Sequence, residues 1–246
     1  MCRTDKDFRD AAEQTKQLAH GLEQVVALRP TFDLMQAFAA VLFQKSVNSL
    51  NAILILCDAG FGIHAVPIAR QIVERATRVK YFIKHLEDLE GYLREDVANV
   101  LGVASGLKAG GIPFLGPEED RLYVEVRSKY RASQKQGKWE PVSIEQMFKR
   151  VDWSTVYRVV YAVSSWYVHE SPVIVTRTLR EAGEGQYSIV LDDPVAADAA
   201  LLIGSIWLLP LCQDVCMLLS IELPEALPEL ARVLEGLTRR NPTATW

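Results

Sequence analysis

Nearly every long run of apolar and polar positions in this chain repeats with the helical period of about 3.6 residues. From about Thr4 to Leu28, Phe8, Ala12, Leu18, Leu22 and Val25 mark a narrow apolar stripe on an otherwise polar helix. Arg29-Pro30 ends it, because a residue before proline is pushed out of the helical region, and Thr31 can cap the next helix. That second helix, Phe32 to about Cys57, is rich in Ala, Leu and Phe. It should stop at Asp58-Ala59-Gly60, where Gly60 suits a left-handed C-terminal position. A third starts near Ile63, tolerates Pro67 in its first turn and runs to about Ala104. With so few residues between them, helices two and three should form an antiparallel hairpin.

Gly106 to Pro117 reads as a loop by composition. The acids after Pro117 (Glu118, Glu119, Asp120) suit the positive end of a helix dipole, so a fourth helix should start there. Ser143-x-x-Gln146 is a capping box opening a short helix, and a longer one covers about Asp152 to Glu170 before Ser171-Pro172. The β-rich runs Val173–Thr178 and Tyr187–Leu191 flank Gly183-Glu184-Gly185, a small hairpin. Asp193-Pro194 opens the most apolar helix, to about Ile221, and Pro224 or Pro228 starts a last short one. The expected fold is all-α: an antiparallel helical bundle with a long central helical hairpin and a β-hairpin excursion. It is read as one domain, with residues 1–30 an N-terminal helix, 31–221 the core bundle and 222–246 a short helix and tail.

Composition narrows the function classes more than it names one. The 246 residues are 49% hydrophobic and 24% charged, with a formal net charge of −4. Those values exclude disorder, collagen-like repeats and a strongly basic nucleic-acid tail. The start, Met1 to Asp10, is charged and has no apolar signal core. The apolar stretches Ala199–Cys212 and Ser46–Cys57 are shorter than the roughly 20 residues of a membrane span and read as buried core, so a cytoplasmic chain without membrane attachment is expected. The segment from Ala199 to Ile221 is apolar on most of its circumference, which calls for enclosure by its own domain or a partner, and a two-fold homodimer is expected. Cys2, Cys57, Cys212 and Cys216 are too few and scattered for a disulfide framework. Cys57, His64, Cys212 and Cys216 match no common zinc spacing, so neither metal nor cofactor is expected. Phosphate-loop, dinucleotide-turn and nucleophile-elbow motifs are absent from the sequence.

Two stripes carry the candidate chemistry. On the third helix, Arg70, Glu74, Arg78, Tyr81 and His85 share one face; on the helix around residue 160, Ser154, Arg158, Tyr161, Ser165 and His169 share another. Facing each other, they would bring cations, a carboxylate, hydroxyls and an imidazole together, a set able to bind an anion or assist proton transfer. Against this, the first stripe lies opposite Ile68, Ile72, Ala76, Val79, Ile83 and Leu86, where a plain solvent face belongs. A basic run with interleaved aromatics (Arg121, Arg127, Lys129, Arg131, Lys135, Lys138) can contact an anionic ligand or RNA, or simply be a solvated surface. Arg78 and His85 also fit the Arg-x4–6-His spacing of HEPN ribonucleases, although Val79 stands where a polar residue usually comes after that arginine, and chance supplies about one such match in a chain this long.

Phe61-Gly62-Ile63 through Arg70, Glu74 and Tyr81, together with Tyr161-x3-Ser165-x3-His169, resembles a widespread bacterial domain family of unknown function. Its pattern is a glycine turn, a helix with Leu-x-Arg-x3-Glu and a second helix with Tyr-x3-Ser-x3-His, and the resemblance spans roughly Phe32 to Leu219. It implies an all-helical bundle with Arg70, Glu74, Tyr161, Ser165 and His169 as the central polar set. The sequence reading is therefore a ligand- or partner-binding helical domain, with a stress- or phage-defence role suggested by analogy alone. Its rivals are a metal-independent HEPN-like ribonuclease, with His169, Ser165 and Arg70 as catalytic candidates, and a scaffold whose polar residues only satisfy one another.

Overall fold

The computed structural model describes residues 4–95, 124, 125, 128, 141–168, 179–183, 185–189 and 193–240. The 106–117 loop, the basic run after it, the 173–178 strand, and residues 169 and 170 lie outside the described residues. The fold is all-α and bundle-like, with one two-stranded hairpin. Two compact units make it up: Met1–Tyr81 with Phe148–Trp246, and Phe82–Met147.

In the first unit, α1 (Lys6–Ala27) is capped by Asp5, whose side chain accepts from the Asp7 amide. Its buried face is Phe8, Ala11, Ala12, Thr15, Ala19, Leu22 and Val26. That face is rotated from the expected stripe, leaving Val25 46% exposed. Small side chains at 11, 12, 15 and 19 let the backbone approach its neighbours, a gain that counting large apolar residues misses. Thr15 hides its hydroxyl by donating to the Ala11 carbonyl.

The next helix, α2 (Leu34–Asp58), starts at Asp33 and not at Thr31. Asp33 and Gln36 form a reciprocal capping box, each side chain accepting from the other's amide, and two satisfied amides outweigh one. At the far end Gly60 takes φ +83°, the left-handed conformation expected of it.

The third helix, α3 (Gly62–Lys84), is far shorter than expected. His85 leaves the helical region at φ −134°, ψ 60°, and a 3-10 turn, Leu86–Asp88, begins a new segment. Acids at 87 and 88 suit the start of a helix better than its interior, so the break falls where the dipole favours it. Gly62 at the head of α3 is a close-approach residue: a Cβ there would lie 2.7 Å from the Ala197 Cβ.

The short α4 (Ile144–Arg150) opens with the expected box, Ser143 and Gln146 each accepting from the other's amide. Asp152 turns the chain with φ +65°, and α5 (Ser154–Val168) comes next. The hairpin pairs β1 (Leu179–Gly183) with β2 (Gln186–Ile189), around the expected glycines. Its first strand is the polar Leu-Arg-Glu-Ala-Gly, selected by closeness to the turn and not by β propensity.

The core is α6 (Pro194–Leu219), started by Asp193 accepting from the Ala196 amide. It packs on α1, α2 and α7 (Leu227–Arg240), which enclose it within the chain. Arg29 and Gln36 reach across to the carbonyls of Leu219 and Leu218, covering groups the helix end cannot satisfy itself. By length and composition alone, α2 and α6 are both long enough to cross a membrane, so shortness does not distinguish them from spans as the sequence led us to expect. Burial supplies the core reading for α6, whose most apolar window is 78% enclosed against 39% for α2.

In the second unit the Phe82 and Tyr92 rings meet at 5.0 Å and Leu89 is fully buried. Residues 89–95 are helical, with Arg94 paired to Glu90 one turn away.

Candidate functional site

Arg70, Glu74 and Arg78 succeed one another at four-residue intervals on α3, so their side chains stack along one face. The Arg70 Nε donates to Glu74 Oε1 at 2.8 Å, and an Arg78 terminal nitrogen donates to Oε2 at 3.3 Å. The second stripe meets this face at one residue. Tyr161 of α5 donates its hydroxyl to Glu74 Oε1 at 2.6 Å, while the Arg70 guanidinium lies over the Tyr161 ring, 3.6 Å from its centre. The plain solvent face is thereby corrected: the Glu74 side chain is 17% exposed, and those of Arg70 and Arg78 are 25% and 24% exposed. Tyr161 is fixed from behind by Tyr157, ring centres 4.2 Å apart, and by the edge of Phe148.

The electrostatics derive from that geometry. Burial alone would raise the Glu74 carboxyl, but the hydrogen bonds from Tyr161 and Arg70 and the charges of Arg78 and Arg70 hold it below its usual range. Burial, then the bond to Glu74, pushes the Tyr161 phenol up to about 12, so it stays a proton donor at neutral pH. Burial opposes the Arg70 charge, yet Glu74 and Tyr161 outweigh it and the guanidinium is held above its ordinary value. Arg70 therefore has one nitrogen committed and its plane fixed by the ring. Among the described residues its partners are Glu74 and Tyr161, and no second carboxylate meets its guanidinium.

The remaining candidates fall elsewhere. Tyr81 is fully buried, and its hydroxyl accepts from Arg150 at 2.8 Å. Arg150, in the last turn of α4, carries no sequence signal that would have singled it out. Nor does Arg75, which braces α3 to α2 through Ser49 Oγ at 2.7 Å and the Lys45 carbonyl at 3.1 Å. His85 sits beyond the end of α3, 3.6 Å from Glu87, whereas Arg78 is engaged by Glu74. Arg158 is exposed one turn before Tyr161, and Ser165 is half-buried one turn after it. His169 and the basic residues Arg121, Arg127, Lys129 and Arg131 lie outside the described residues.

The zinc candidates are dispersed in character. The Cys57 thiol points to the Ala197 carbonyl at 3.7 Å, and burial raises the Cys212 and Cys216 thiols, away from the thiolate that binds metal. Among the described residues, His85, Glu87 and Asp88 bring three ligand-type side chains together at the surface.

No curated protein and no solved structure matches the chain. The profile of the family of unknown function DUF5677 matches residues 36–187, a stretch that contains Arg70, Glu74, Arg78 and Tyr161. With more than half of its length matched, the chain belongs to that family.

Proposed function

We propose that this chain is a binding module whose ligand presents an anionic group to Arg70 and Arg78. The observation that carries the reading is the state of Arg70. Its Nε is tied to Glu74 and its plane is stacked on Tyr161, and among the described residues Glu74 is the one carboxylate that meets it, so its fork has no second anion. A guanidinium fixed in this way loses little freedom when an oxyanion meets its fork, which is what makes pre-oriented arginines good anion receptors. Glu74 and Tyr161 act as the orienting pair.

Calorimetric titration with inorganic phosphate and with acetate, on wild type and Arg70→Gln, tests this. At least one anion should bind the wild type and lose about tenfold or more in affinity in the variant, the scale of a lost charged hydrogen bond. Equal binding by the two proteins, or none by either, would overturn the proposal. Metal-free cleavage of labelled RNA that disappears in His169→Ala would replace it with the ribonuclease reading.

A further inference from the structure

The apolar stripe of α1 is only partly used by the core. Leu22 is buried and Leu18 half-buried, whereas Val25 is 46% exposed and Leu28, one turn on, is 84% exposed. We infer that this stripe is the floor of a docking groove for another protein, and that its occupant is a basic amphipathic helix.

Between α1 and the segment that leads from α6 into α7 lies an open cavity of about 540 Å³, which shares no residue with the Arg70–Glu74 face. Leu18, Leu22 and Val25 line one side, and Ile221, Pro224 and Leu230 line the other. From Gln14 to Val25 the groove follows α1 for about three turns, roughly 16 Å. That is the length over which an amphipathic helix presents its apolar residues at i, i+3 or i+4, and i+7. A Cβ at Gly21 would meet no atom within 4 Å, so the middle of the floor is open to a side chain from outside.

Charge selects the occupant. Glu222, Glu225 and Glu229 stand on one wall, the neutral Gln14 and Gln17 on the other, and among the described residues no Lys, Arg or His lines the groove. Arg232 pairs with Glu229, while Glu222 and Glu225 have no ion pair among the described residues. Such a rim repels a nucleic-acid backbone and an anionic lipid surface. A second copy seated face to face through a two-fold axis would set the glutamates of one groove against those of the other, with no cation in either lining to offset them. A helix with large apolar side chains along one stripe and Lys or Arg beside it is complementary. Its apolar row fills the floor, and its cations reach the rim carboxylates, which set encounter and register.

The test is fluorescence anisotropy on the full chain with a labelled helical peptide carrying Leu at i, i+4, i+7 and i+11 and Lys at the flanking positions. Two control peptides replace Lys by Glu, or Leu by Ser. The wild type should bind the Leu/Lys peptide in the micromolar range and each control about tenfold or more weakly. Gly21→Leu exchanges a poor helix former for a good one and sets a side chain on the groove floor. It should lose about tenfold or more in affinity for the Leu/Lys peptide, with its helix content by circular dichroism unchanged. Glu222→Gln combined with Glu225→Gln should weaken binding and flatten its salt dependence. General attraction to a chain of net charge −4 would survive in Gly21→Leu, which alters no charge, so undiminished binding by that variant overturns the inference. Equal binding of either control peptide, or no binding of the Leu/Lys peptide, overturns it as well. A wild-type dimer that Gly21→Leu dissociates in light scattering would give the groove to a second copy instead.

Discussion

Removing the Tyr161 hydroxyl isolates the contact that joins the two stripes. Tyr161→Phe keeps the ring on which Arg70 stacks and deletes only the bond to Glu74, 2.6 Å long and charge-assisted. Hydrogen bonds to charged groups contribute about 1.5–3 kcal/mol, and because Arg70 and Arg78 still hold the carboxylate, the lower end applies, about 1.5 kcal/mol. Glu74→Ala should cost more, about 2–3 kcal/mol, since it strands two half-buried guanidiniums and the hydroxyl together. In the double variant the hydroxyl has no carboxylate left to lose, so the two costs should fall short of additivity by about 1–1.5 kcal/mol. Urea unfolding reports this, with the fluorescence of the Trp153–Trp207 pair, 4.8 Å apart, as an internal probe of the first unit. Strictly additive costs would refute the coupling, and a Tyr161→Phe cost within error would refute the bond itself. The pH dependence supplies a second check. Glu74 ionises below its usual range when folded, so its contribution is present above the unfolded carboxylate pKa and is lost as pH falls through the lower folded value. The coupling should vanish in that acid window.

Packing and burial lead to two further outcomes. Gly62→Ala places a methyl 2.7 Å from the Ala197 Cβ and 2.8 Å from its backbone nitrogen, so α3 and α6 must part, at a cost of about 1–3 kcal/mol in urea unfolding; a neutral substitution would show that this approach is not tight. Burial, then the charges of Asp5 and Asp193, raises the Asp198 carboxyl to about 6 against the one favourable bond from the Asp5 amide. Its protonated form is favoured by folding, so wild-type stability should fall as pH rises from about 4 through 6, and Asp198→Asn, which keeps the acceptor oxygen, should flatten that fall. Parallel pH profiles for the two proteins would refute the assignment.

Features set by one or two neighbouring residues were legible in the sequence. The Asp193-Pro194 start, the Ser143 box, the Gly60 stop and the glycine turn near 184 each satisfy backbone groups locally, so no distant residue has to be known. The His85 break was not legible: its flanks contain neither Gly nor Pro, and the preference for ending α3 there is set by acids acting on a helix dipole together with packing. The rotated face of α1 was hidden because alanines bury by permitting approach, a property of the neighbour as much as of the residue. At the candidate site the four-residue spacing put Arg70, Glu74 and Arg78 on one face, but periodicity is silent on depth. Only Tyr161 arriving from α5 turns an ordinary surface ladder into a half-buried one. Arg150 and Arg75 escaped for the same reason, since their partners lie 69 and 26 residues away.

The packing of α2 against α6 has a consequence for how the chain reaches its folded state. Those helices end and begin at Asp58 and Pro194, so α2 is complete long before the surface that covers it exists. At a synthesis rate of about 5–20 residues per second, the interval is roughly 7–30 s. Throughout it the apolar face holding Phe43, Leu50, Ile53 and Leu54 has no α6 to close over it, and loop closure over so long a chain must be met before any of that burial is recovered. The first unit thus depends on its own latest-made core helix, and the period before α6 emerges is when the nascent chain is most exposed to aggregation and to chaperones that recognise apolar helices.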